Sequence, residues 1–258
     1  MFRRNWDREE LIIAFNIYCK IPFTKIHYTN PQIVEVAKII GRSPSALALK
    51  LVNFARLDPE LQKRNIIGMK HGSKSEELIW HEFNNDWEEL SYQSELLLAK
   101  FKKQPVEKVA NIYTEDLPKE GKDKETIVKT RVNQTFFRNM VLASYDNRCC
   151  VTGLSIPELL VASHIIPWSK DKKNRLNPRN GLCLNVLHDK AFDTGLLTIT
   201  PDHMIKLSNR LLKTKDKEVL EKFFFPFADR QIRLPQRFTP DIVFLKFHNN
   251  NIFLDRRL

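Results

Sequence analysis

The chain has 258 residues, with 42 Lys and Arg against 31 Asp and Glu, a net charge of +11. Hydrophobic residues make up 42% of it, which supports folded cores and excludes a disordered tail protein. It lacks the run of roughly 18 apolar residues a membrane span needs, an apolar signal-peptide centre in MFRRNWDREE, and the cysteine spacing of a disulfide framework. A cytoplasmic protein with no membrane partner is expected.

The charge is uneven: residues 1–75 carry +7, residues 76–120 carry −6 and residues 121–258 carry +10. Two basic blocks around an acidic one favour a polyanion as partner. Asp7 with Glu10 three places on predicts a capped helix carrying Leu11, Ile12, Phe15 and Tyr18, ended by Pro22. Asn30-Pro31 starts a second helix and Gly41 stops it; Ser43-Pro44 then caps a third. Helix, glycine turn, helix is the outline of a helix-turn-helix, in which Arg42, Ser45 and Lys50 are the DNA contacts.

Residues 57–75 read as loop and Glu76–Leu90 as one helix, with Leu96–Phe101 continuing it. Polar residues with Pro105, Pro118 and Gly121 mark a linker over 105–124, between a helical domain at 1–104 and a second domain at 125–258. Residues 125–147 predict a helix on which Arg131, Gln134 and Arg138 lie about one turn apart, a row suited to phosphate contacts. In the tail, Lys215–Phe224 reads as helix, and Gln231–Leu234 and Ile242–Phe247 as β-like pieces. The class expected is α+β.

The densest chemistry lies between Tyr145 and Thr200. A short strand delivers Ser163 and His164 to its end, and a basic loop runs from Ser169 to Arg179. Asn180-Gly181 is a turn signal, Leu182-Cys183-Leu184 a second strand, and His188 to Phe192 a helix ended by Gly195. Cys149-Cys150 and Cys183 lack the paired spacing of structural zinc and read as buried thiols. Strand neighbours face opposite ways and no Gly-x-Ser-x-Gly elbow is present, which argues against a Ser163–His164 hydrolase dyad.

The phrases ASHIIPW, NPRNGLCL and LHDKAFDTGLLTI, in this order after RCCVTG, resemble the HNH nucleases, and most closely their restriction-type subset. The stretches RVNQTFFR and FLKFHNNNIF, and the N-terminal WDREELIIAFNIY and IIGRSPSALALKLVNF, are similar to segments of that subset as well. The resemblance implies a ββα-metal finger with His164 as general base, Asn180 holding the loop, and His188 as a metal ligand. Many members carry Asp or His just before the base, where this chain has Ser163, a poor ligand for a hard cation. Asp193, and after it Asp189, are the carboxylates the same helix offers.

The implied cofactor is one divalent cation, Mg²⁺ or Mn²⁺ first and Zn²⁺ or Ni²⁺ as alternatives, and the implied partner is double-stranded DNA. A histidine near its ordinary pKa takes a proton from water at neutral pH, and a cation neutralises the leaving alkoxide. Two strands need two cuts and one finger makes one, so a homodimer is expected. The alternative is a DNA-binding regulator whose degenerate finger binds without cutting.

Overall fold

The computed structural model describes residues 4–66, 72–113, 115, 121–215 and 217–255. Residues 67–71 of the expected loop, and 114 and 116–120 of the expected linker, lie outside the described residues. The chain divides into two compact units, Met1–Ala143 and Ser144–Leu258. The division falls after the helix that the sequence reading grouped with the second domain. That helix faces the first unit: Lys20 sits over the Phe136 ring at 5.6 Å, and Lys129 pairs with Glu88 at 2.9 Å.

The first unit is helical: α1 (Arg8–Lys20), α2 (Pro31–Ile39), α3 (Pro44–Ala55), α4 (Pro59–Lys63), α5 (Lys74–Phe83), α6 (Trp87–Lys102), α7 (Val106–Val109) and α8 (Lys122–Ser144). The caps read from sequence are in place: Asp7 and Glu10 form a capping box, Asn30 caps α2 and Ser43 caps α3. Gly41, at φ +67°, takes the left-handed turn between α2 and α3 that a glycine adopts without strain. The single helix expected from Glu76 is two, because Asp86 caps a new start through the Glu89 amide. Asp58 likewise caps α4 inside the expected loop.

Helix α1 is buried on every side from Glu10 to Cys19, as befits the central helix of a bundle. Phe15 stacks on Phe54 at 4.9 Å and tilts against Trp80 at 5.2 Å. Its one buried phenol, Tyr18, donates to Asp58 Oδ2 at 3.0 Å.

The second unit holds β1 (Leu160–His164), β2 (Gly181–Asn185), α9 (Val186–Asp193), β3 (Leu197–Ile199), β4 (Ile205–Leu207), α10 (Asn209–Leu212), α11 (Lys217–Phe223) and α12 (Ile242–Asn251). Its two sheets are antiparallel pairs, β1 with β2 and β3 with β4, so the molecule mixes helix with small sheets. The β-like piece expected at Ile242–Phe247 is instead α12, started by Asp241, which caps the Val243 amide. Gln231 makes only an isolated bridge to Met204.

Helix α12 is locked to the finger through His248. Its ring lies flat on Phe192 at 3.7 Å; Nε2 donates to the Phe192 carbonyl at 3.0 Å, and Nδ1 accepts from Thr198 Oγ1 at 2.8 Å. Gly195 allows the same docking: at φ +69°, an added Cβ would meet the Ile252 carbonyl oxygen at 2.1 Å.

Burial pushes the His248 pKa down to about 4. The unfolded chain therefore binds a proton below about pH 6.5 that the fold refuses until about pH 4. Stability rises with pH across that window, and about 3 kcal/mol should be lost on acidification from pH 6.5 to 4. Amide exchange in α12 and β3 should report it. A His248→Gln variant should show a flatter pH dependence, and an unchanged one would refute the assignment.

Candidate active site

His164 ends β1 opposite Gly181, and the register runs back to Leu160 opposite Asn185. His164 is half-buried, and its Nε2 lies 2.9 Å from the Arg175 carbonyl oxygen. A carbonyl only accepts, so Nε2 carries the proton and Nδ1 carries the lone pair of the neutral ring. Burial pushes the His164 pKa below its ordinary value, and the Arg175 carbonyl bond opposes that in part. At neutral pH the ring is therefore neutral, with Nδ1 its unprotonated nitrogen.

Asn180 holds the loop that supplies this carbonyl. It is fully buried; Oδ1 accepts from the Ile166 amide at 2.8 Å, and Nδ2 donates to the Ile166 and Asn174 carbonyls at 3.2 Å each. Asp171 turns inward to accept from the Lys173 and Asn174 amides and from Asn174 Nδ2. With every polar atom of its amide paired to backbone, Asn180 shapes the loop and has no acid or base work in it. Gly181 belongs to β2, and the expected turn is a 3₁₀ turn over Pro178–Asn180.

From Gly181, opposite His164, β2 runs to Asn185, about 14 Å at the usual strand rise of about 3.4 Å per residue. His188 follows in the first turn of α9, 1% exposed, against the rings of Phe224 at 5.1 Å and Phe227 at 5.8 Å. Its Nε2 lies 2.9 Å from the Phe223 carbonyl and its Nδ1 3.0 Å from Asn185 Oδ1. Burial lowers its pKa, opposed by the Phe223 bond. Asp193 has a raised pKa, from burial and then from Asp189.

These residues do not fit a cation as they are arranged. Both nitrogens of His188 already face protein oxygens. Among the described residues no group of three or more His, Cys, Asp or Glu is placed to hold a metal. Ser163, beside His164, is buried, and its Oγ has no hydrogen-bond partner among the described residues.

Cys149, Cys150 and Cys183 are buried free thiols. Cys149 Sγ accepts from the Asn185 amide at 3.3 Å and so helps fix the start of α9.

In the first unit two residues expected to contact DNA, Arg42 and Lys50, are engaged within the unit. Arg42 grips the fully buried Glu10 with two prongs, Nε to Oε1 at 2.9 Å and Nη2 to Oε2 at 2.6 Å, and donates to the carbonyls of Arg4 and Asn5. Lys50 pairs with the fully buried Glu76. Both cations lie over the Trp6 ring, Arg42 at 4.6 Å and Lys50 at 5.4 Å. On α8, Arg131 donates to the Tyr113 carbonyl at 2.6 Å. Ser45 and Gln134 are exposed, and Arg138 is half-buried.

Sequence reading missed Arg175, which lies in a basic loop seven residues after Trp168. Its guanidinium lies over the Trp168 ring at 4.9 Å.

Residues 149–200 match the family model HNH_2, HNH endonuclease. No curated protein matches the chain. The matched span contains β1, the clamped loop, β2 and α9, so the similarity to HNH endonucleases lies in the second unit. HNH endonucleases act on DNA and generally use a divalent metal ion. No helix among the described residues is long and apolar enough to cross a membrane.

Proposed function

We propose that this chain is a restriction-type endonuclease that hydrolyses phosphodiester bonds of duplex DNA with His164 as general base. The observation that carries the reading is the geometry of His164. It ends a strand of the HNH-matched ββα unit, its tautomer is fixed by the Arg175 carbonyl, and burial keeps it neutral at physiological pH.

In the reaction, Nδ1 takes a proton from water, the hydroxide oxygen bonds to phosphorus, and the bond to the leaving oxygen breaks, that oxygen departing as an alkoxide that takes a proton from solvent to become the alcohol. Asn180 keeps the loop and its carbonyl in place while the ring gains charge. Unit Met1–Ala143 is read as the part that selects where the finger acts; Ser45 and Gln134 present exposed polar groups for it. A homodimer would supply the second cut.

A non-cleaving regulator is the second reading, favoured by Ser163 beside the base and by the engaged nitrogens of His188. Supercoiled plasmid incubated with the full chain and Mg²⁺ or Mn²⁺, with EDTA as control, separates the two. Nicked and then linear product supports the nuclease; retarded but uncut plasmid under both cations supports the regulator.

A further inference from the structure

We propose that Arg175 is a catalytic residue that binds the non-bridging oxygens of the scissile phosphate beside His164, with the Trp168 indole as its platform. The inference rests on the nuclease reading above and deepens it.

Arg175 reaches the site in two ways. Its backbone carbonyl accepts from His164 Nε2 at 2.9 Å. Its side chain turns back over Trp168, with Nε donating to the Trp168 carbonyl at 2.8 Å and the guanidinium carbon 4.9 Å from the ring centre. The His164 ring meets the same indole edge-on, at 5.5 Å and 85°. Base and guanidinium therefore both pack on one indole.

The terminal nitrogens of Arg175 have no partner among the described residues, and the side chain is only half-buried. A guanidinium held at Nε and resting over an aromatic ring loses most of its rotational freedom, so its outer N–H groups are held in a narrow range of directions. That is the planar fork that binds two phosphate oxygens. Held so, it stabilises charge as it develops on the phosphate, with little reorganisation.

The surroundings specify the ligand's sign. Lys170, Lys172 and Lys173 are exposed on the same loop and have no anionic partner among the described residues, while the one carboxylate there, Asp171, is turned into backbone amides. The loop is held by Asn180 and Asp171, so these cations are displayed on a fixed frame.

The test uses the full chain and two variants, Arg175→Ala and Arg175→Lys. Both keep the backbone carbonyl that orients His164. Plasmid nicking by Arg175→Ala should lose at least about 100-fold in kcat, the scale of removing one charge-stabilising donor. Arg175→Lys should recover part of it, because a point charge replaces the fork. The acid limb of the pH–rate profile, set by His164, should stay where it is in both variants. A loss caused by a distorted loop would move that limb.

A short duplex followed by fluorescence anisotropy gives a readout independent of cleavage. Removing one phosphate contact should make the slope of log affinity against log salt shallower by about 0.9. If Arg175→Ala cuts within about threefold of wild type, or the salt slope is unchanged, the Arg175 proposal is overturned. If the wild-type chain does not nick under either cation, the nuclease reading fails, and the salt slope alone then decides whether Arg175 contacts phosphate. Should Arg175→Ala fail to fold, Arg175→Gln, which keeps a side chain of similar length without the charge, carries the same comparisons.

Discussion

Replacing His164 by alanine should lower the nicking rate by two to four orders of magnitude, the range of a general base. DNA affinity should change little. The imidazole is half-buried on Trp168 and bonded to a loop carbonyl, so it adds little charge or surface to a bound duplex. The Ala variant leaves the Arg175 carbonyl without its donor, so a second variant, His164→Gln, is the needed control: an amide can still donate to the carbonyl but is no base. Both variants should be equally slow. A Gln variant near the wild-type rate would assign His164 to loop structure alone.

The second large effect belongs to the first unit. Arg42→Ala removes the two-pronged partner of a fully buried carboxylate. Breaking such a pair by deleting one partner costs several kcal/mol, because an uncompensated charge stays buried. About 3 kcal/mol is expected here, the low end, since Arg4 and the Asp7 amide still reach Glu10. The loss should appear in denaturant unfolding of the first unit and be partly recovered in the double variant with Glu10→Gln. A variant that keeps its stability but loses DNA affinity would return Arg42 to the duplex.

That case shows where sequence reading runs out. The Asp7–Glu10 capping box is local and was legible from spacing. The same carboxylate's bond to Arg42 spans 32 residues, and no local rule announces it. A basic residue in a helical turn reads as a DNA contact until its partner is seen.

The finger was legible for the opposite reason: β1, the loop, β2 and α9 are contiguous, and their order carries the chemistry. What was not legible in it comes from the tail. Phe223 reaches back 35 residues to His188, and His248 reaches 56 to Phe192. Both histidines sit in motifs with the right letters, and tertiary contacts decide what their nitrogens do. The apolar residues of Ile242–Phe247 suit strand or helix, and Asp241 decides for helix by capping an amide.

The central claim is that His164 is the base, and the pH dependence of kcat/KM for plasmid nicking tests it most directly. A base must be unprotonated to act, and burial holds this one below the ordinary histidine value. The rate should therefore rise with pH along a limb whose midpoint lies below about 6.5 and be level by neutral pH. The limb should vanish in His164→Ala. A limb centred above about 6.5 in the wild type, or one that persists in the alanine variant, would contradict it.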